Sequence, residues 1–314
     1  MLPWGRTIRG VISRVQVYVN GRICDAGTAG ISPFDTGFLL GYGVFETMRA
    51  CAGRVFRLGR HLERLRAGCR LLGIEPVPEF AELRSAVEAT LRANGLREAR
   101  LRCTVTAGVE TVPGAGPSAV HPTVVVAAWP VPKLVSAHSP WTAGTSARPV
   151  FSRDPLLSVK TTSRVGHVLA RRQARAAGYD EALLVNESGT YTEGSVTNLF
   201  VLRAGVLLTP PVTDGLLPGL ARELVLELAA GRGLKVQERS IAVRDLSCAE
   251  EAFLTNAVLG VVPLVAVDGR PVAGGLPGPV TVSLGRAFAA AVAAECAPVP
   301  PTPPEPDMVD NIRG

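Results

Sequence analysis

The sequence predicts an α/β (α+β) protein built of two domains, on three observations. At 314 residues the chain exceeds the ~250 residues at which a single hydrophobic core stops growing. Apolar residues make up 47% of it, ample for two cores. Short β-branched runs alternate with stretches of helical period along most of its length, the signature of mixed layers.

In chain order, residues 1–14 read as a flexible lead. They contain Arg6, Arg9 and Arg14 but no continuous apolar stretch of the signal-peptide kind. Residues 15–19 and 22–24 form a hairpin, because Asn20-Gly21 supplies the two positive-φ positions of a type I′ turn. Residues 43–49 and 54–57 are strands around a turn at Ala52-Gly53. Residues 59–72 are an amphipathic helix with Leu62, Leu65, Cys69 and Leu72 on one stripe, and 80–94 are a second, stopped by Gly95. Strands follow at 100–106 and 123–129. Residues 131–148 are rich in Pro, Gly and Ser with little periodicity, so the small N-terminal domain spans 15–135 and 136–148 connect it onward. The larger domain, 149–296, reads as a short strand at 156–160, a helix at 163–177, strands at 181–185, 190–193 and 198–203, a helix at 219–230, a strand at 251–255 and a last helix at 278–294. The proline-rich tail, 297–314, reads as disordered.

No apolar run approaches the ~20 residues of a membrane-spanning helix. The six cysteines are scattered without a C-x-x-C pair, so neither a disulfide scaffold nor a metal site is expected; reduced thiols in a cytoplasm are. The net charge of +6 comes from arginines spread through helices that also carry Glu. That favours an anionic small molecule over nucleic acid.

Of the 33 basic residues only Lys133, Lys160 and Lys235 are lysines. Lysine can lose its proton and form a Schiff base; arginine cannot. Lys133 and Lys235 fall in exposed connections. Lys160 ends an apolar stretch just before a helix start, where partial desolvation lowers an amine's pKa. Judged alone it reads more readily as a snorkelling surface lysine. Glu193 follows in a strand-to-turn segment, and Gly219 opens a helix at Leu220 and Ala221 whose free backbone N–H groups can receive an anion. Arg64 lies beside the apolar stripe of its helix, as a solvated arginine or as a fork for a phosphate.

The segments GYGVFETMR (41–49), FRLGRHLERL (56–65), EALLVN (181–186), TEGSVTNLF (192–200) and LTPP (208–211) together resemble the class IV aminotransferases. That group of pyridoxal 5′-phosphate (PLP) enzymes includes branched-chain and D-amino acid aminotransferases and 4-amino-4-deoxychorismate lyases. The resemblance implies a two-domain D-amino acid aminotransferase-like fold and a homodimer acting on a small amino substrate. It implies Lys160 as the Schiff-base lysine and proton shuttle, and Glu193 as partner of the pyridine nitrogen. It assigns the phosphate to Arg64, Gly219, Leu220 and Ala221, with Asn256-Ala257 as a further cofactor-facing turn. Three features point within the family to the lyase, which releases pyruvate and 4-aminobenzoate: Thr47, Asn256-Ala257 and Arg164. Thr47 joins the catalytic set, and Tyr42, Arg49, Arg102 and Arg164 the substrate-binding set. Tyr42 stands where the family has aspartate. The alternative is an amino acid aminotransferase of branched-chain or D-amino acid type. A non-catalytic PLP-binding protein is the remote one.

Overall fold

The computed structural model describes residues 15–110, 121–131 and 139–298. The lead at 1–14, Lys133 and the tail beyond Pro298 lie outside the described residues.

The first sheet is antiparallel: β1 (Gln16–Val19), β2 (Arg22–Asp25), β3 (Gly43–Cys51), β4 (Arg54–Val55), β5 (Ala99–Thr106) and β6 (Thr123–Pro130), in the order β2-β1-β6-β5-β3-β4. Asn20 and Gly21 take positive φ at 43° and 89°, as the expected hairpin turn requires. A short helix, α1 (Thr36–Leu40), is capped by the Asp35 side chain. Two longer ones, α2 (Leu58–Leu71) and α3 (Phe80–Ala93), cover one face of the sheet. Val44, Met48, Leu101 and Cys103 from the strands meet Leu62, Leu65, Leu83 and Val87 from the helices in one core. Strand alternation then leaves Phe45, Thr47 and Arg49 on the other face, opposite Thr104, Arg102 and Arg100 of β5.

The second sheet contains β7 (Trp141–Thr145), β8 (Glu181–Val185), β9 (Tyr191–Gly194), β10 (Asn198–Arg203), β11 (Val206–Thr209), β12 (Lys235–Glu238), β13 (Glu251–Asn256), β14 (Gly260–Val267) and β15 (Arg270–Pro271). Its order is β12-β11-β10-β13-β14-β7-β8-β9, with β15 on β14. β9 also returns to β10 through the pair Glu193 and Asn198, which closes six strands into a ring. Leu199 and Val201 of β10 point to the ring interior, with Leu254 and Val262. Phe200 and Leu202 point outward to α5 (Leu220–Ala230) and the last helix, α7 (Pro279–Glu295), and Phe200 stacks on Phe253. Two helices complete the set, α4 (Val165–Ala176) and the short α6 (Val243–Ser247).

Two of the expected stretches take a different form, and α1, β11, β12, β14 and α6 are elements the sequence expectation does not include. Trp141–Thr145, within the expected connection, is strand β7, paired with β14 and β8. Gly144 hid it: a Cβ there would lie 2.7 Å from the Tyr179 ring, so the position that weakens the strand pattern is the one the ring packs on. Residues 156–160 are not a strand. Pro155–Ser158 form a 3-10 turn whose Leu156 amide is met by the Asp154 side chain, since Asp at the cap and Pro at the first position favour a tight turn. Only then does the chain extend. Phe45 N–H donates to the carbonyl of Lys160 at 2.9 Å, and Thr162 N–H to that of Gly43 at 2.8 Å. Lys160 is thereby fastened beside β3 of the first sheet before α4 packs on the second.

Candidate active site

This pairing puts Lys160 on the Phe45 face of the first sheet. Its Nζ lies 4.9 Å from the Phe45 ring centroid, and the Arg102 guanidinium lies 3.6 Å from the same centroid. Thr47 stands directly opposite Arg102. Burial is the largest influence on Lys160 and lowers its pKa from 10.5 to about 8; Glu46 and Glu193 pull it up, Arg64 and Arg164 push it down. Among the described residues no hydrogen bond or ion pair holds this amine. Burial also lowers the pKa values of Arg102 and Arg164.

Glu193 is buried at the seam of the ring. One oxygen, Oε2, accepts from the Leu217 backbone N–H at 3.2 Å and from Asn198 Nδ2 at 3.4 Å. The other, Oε1, is buried without a hydrogen-bond partner among the described residues. It faces Arg164 at 3.9 Å and His167 Nε2 at 3.5 Å. A buried carboxylate oxygen left open in this way is uncommon in a native protein and calls for a donor that arrives with a ligand.

Asn198 ties Glu193 to the start of α5. Its Nδ2 also donates to the Leu217 carbonyl at 2.9 Å, and a Cβ on Gly219 would fall 1.9 Å from its Oδ1. Only glycine fits there. The N-terminus of α5 has no side-chain cap, so the first-turn amides at Leu220 and Ala221 remain free for an anion.

Arg64 reaches this helix start from α2. Its Nε and Nη2 donate to the two oxygens of Glu46 at 2.7 and 2.8 Å, and its Nη1 to the Pro218 carbonyl at 2.7 Å. Glu46 is fully buried and also meets His61 Nδ1 at 2.7 Å. Burial alone would raise the Glu46 carboxyl; Arg64 and His61 overcome it and bring the pKa to about 2. One turn before Arg64, Arg60 meets Glu223 at 3.0 Å, and Arg57, just ahead of the helix, meets it at 3.2 Å, so α2 is fastened along α5.

Arg49 donates to the Val258 carbonyl at 3.3 Å, while its Nε is buried with no hydrogen-bond partner among the described residues. It pins the turn at Asn256-Ala257, where Asn256 Oδ1 accepts from Val258 N–H and Leu259 N–H. The Asn256 side-chain oxygen is thus spent on its own turn. Tyr42 is not brought to this group: its hydroxyl donates to the Leu72 carbonyl past the end of α2.

Sequence reasoning missed Glu46, His61, His167 and Asn198. Glu46 had a signal, a carboxylate in the apolar register Val44, Met48 and Ala50, with His61 and Arg64, two possible partners, three apart on a helix. His167 had another, three residues past Arg164 on one helix face.

Known proteins match most of the chain. The family model described as Amino-transferase class IV matches residues 43–267. A candidate branched-chain-amino-acid aminotransferase of Methanocaldococcus jannaschii is 37% identical over 277 residues, 87% of this chain and 95% of that protein. The aminodeoxychorismate lyase of Bacillus subtilis is 30% identical over 81% of this chain and 87% of that protein. Among solved structures, the branched-chain aminotransferase of the thermophilic archaeon Thermoproteus uzoniensis with norvaline superposes with a TM-score of 0.82 at 31% identity, covering 90% of this chain and 95% of that one.

Proposed function

The chain belongs to the class IV aminotransferases, a family of PLP-dependent enzymes, and from that premise we propose that it is an amino acid aminotransferase taking branched-chain L-amino acids as donors. The observation that carries the choice is the 37% identity across 87% of the chain to the M. jannaschii protein. The lyase reading, suggested by Thr47, Arg164 and Asn256-Ala257, is the less supported of the two. It keeps one specific observation, the 30% identity to the B. subtilis lyase.

The described residues fit PLP. The unpartnered Glu193 Oε1 suits a protonated pyridine nitrogen, and the cradle at Gly219 with the amides of Leu220 and Ala221 suits a phosphate. An amine brought to a pKa of about 8 suits carbonyl chemistry. When bound, PLP supplies an electrophilic aldehyde and an electron-accepting ring.

The rest falls to the chain. Lys160 Nζ holds and moves the proton of the substrate's amine-bearing carbon. Glu193, oriented by Leu217 and Asn198, would offer its open oxygen to the ring nitrogen. Arg64 and the start of α5 fix the anionic end, with the Asn256-Ala257 turn behind it. Arg102, beside Lys160 on Phe45, binds a substrate carboxylate; Arg49, Arg164 and Thr47 shape the same face.

The assembly we propose is a homodimer. Phe34, Phe38 and Leu40 near α1 and Val165 and Val168 on α4 are exposed apolar side chains of the kind an interface covers. Among the described residues no helix is long and apolar enough to cross a membrane. The free cysteines accord with a reducing cytoplasm.

The test is to load the protein with PLP and add L- and D-amino acids singly, with no oxo-acid acceptor. Leucine, isoleucine or valine should yield one equivalent of its oxo acid and then stop. If no amino acid reacts while 4-amino-4-deoxychorismate yields pyruvate and 4-aminobenzoate, the protein is the lyase.

A further inference from the structure

We infer that Glu46 is a positioning residue of this site: it takes one side of the Arg64 fork so that the two remaining N–H groups face the anion at the start of α5. This rests on the proposed role of Arg64 toward the cofactor phosphate.

The donor inventory carries the argument. A guanidinium has five N–H donors in a fixed plane. In Arg64 the Nε donor and one on Nη2 go to Glu46, and one on Nη1 goes to Pro218. The two left over sit on the terminal nitrogens. Without Glu46 the same planar fork could turn its bidentate edge to a phosphate, or swing out to solvent. With it, the plane is set by two short charge-assisted bonds before any ligand arrives. The carboxylate is itself fully buried on β3 and fixed by His61 of α2. Pro218 completes the linkage, because its carbonyl belongs to the residue just before Gly219.

Glu46 also acts on Lys160. The charged groups around this amine are Glu46 from β3, Arg64 from α2, Arg164 at the start of α4 and Glu193 from β9, and Arg102 of β5 shares the Phe45 ring with it. Glu46 favours the protonated form, so its loss should make the Lys160 amine titrate at lower pH. A residue that merely fills space would not move that midpoint.

The test is a double-mutant cycle on phosphate affinity, using Glu46→Gln, Arg64→Met and the pair. Equilibrium dialysis of PLP, and of inorganic phosphate against the apo protein, gives the affinity. Reductive methylation of Lys160, followed by mass spectrometry as pH is varied, gives the amine midpoint. Glu46→Gln is expected to weaken both ligands tenfold or more, to cost nothing further in the Arg64→Met background, and to shift the amine midpoint to lower pH. Losses that multiply in the pair, or wild-type phosphate affinity in Glu46→Gln, overturn the inference. If Arg64→Met itself binds phosphate as wild type, the assigned role of Arg64 fails first, a separate result. Should Glu46→Gln not fold, Glu46→Asp keeps the charge and withdraws it by one methylene. Binding several-fold weaker is then expected, and unchanged binding overturns the proposal.

Discussion

Two buried carboxylates on different sheets, Glu46 and Glu193, have opposite surroundings. Glu46 on the first sheet has both oxygens taken, by Arg64 and His61. Glu193 on the second has one oxygen held and the other left open, with Arg164 and His167 making no hydrogen bond to it. A closed carboxylate is structural: it organises other side chains and contributes to stability. An open one costs the fold stability until a donor reaches it.

The sharpest way to break this contrast is to neutralise the open carboxylate and its neighbouring amine. Lys160→Ala should leave no measurable turnover. Glu193→Gln should lower kcat/KM by ~10²–10⁴ with the melting temperature unchanged or raised. A Glu193→Gln enzyme of normal activity would end its assignment. Glu46→Ala should do the reverse of Glu193→Gln in a urea titration, losing about 3–5 kcal/mol because Arg64 and His61 are left uncompensated.

Acid sharpens the same contrast. A carboxyl lowered from 4.5 to about 2 in the fold binds fewer protons than in the unfolded chain. Its stabilisation is therefore full above pH 4.5 and is lost as pH falls toward 2, up to about 3 kcal/mol. That limb should be missing from the stability curve of Glu46→Gln. For Lys160 the sign runs the other way in reactivity, since only the neutral amine attacks. Its reductive methylation in the apo protein should rise with pH to a midpoint of about 8, and a midpoint near 10.5 would remove the argument from burial. The smallest effect belongs to Gly219→Ala, which must displace Asn198. It should cost ~1–3 kcal/mol and weaken PLP binding in dialysis.

What was legible in the sequence follows the same division. Lys160 stands out because lysine is scarce along the whole chain and it ends an apolar stretch, and Glu193 because a turn signal and motif surround it. Neither signal needs a distant contact to be read. The partners of Glu46 lie 15 and 18 residues away on a helix, and the contact of Asn198 with the start of α5 depends on how the ring closes. No short window of sequence contains these. Tyr42 shows the converse: a motif position suggests a site residue, yet its hydroxyl is taken by a helix-end carbonyl. Helices α2, α3 and α7 and most hairpin strands are legible because period and turn residues agree. β7 and the turn at Pro155–Ser158 are not, because a ring packed on Gly144 and a cap at Asp154 outweigh propensity.

The ring of strands in the second sheet closes where β9 turns directly into β10, at the pair of Glu193 and Asn198, and Gly194 N–H donates to the Thr197 carbonyl across that turn at 2.7 Å. The Glu193 side chain at this turn carries the oxygen, Oε1, left open among the described residues. A ligand that donates to it would add stability to the closing turn of the ring. Amide hydrogens of β9 and the first residues of β10 should then exchange fastest in the empty protein and slow most on loading. The enzyme would carry a record of its own occupancy in the stiffness of its barrel.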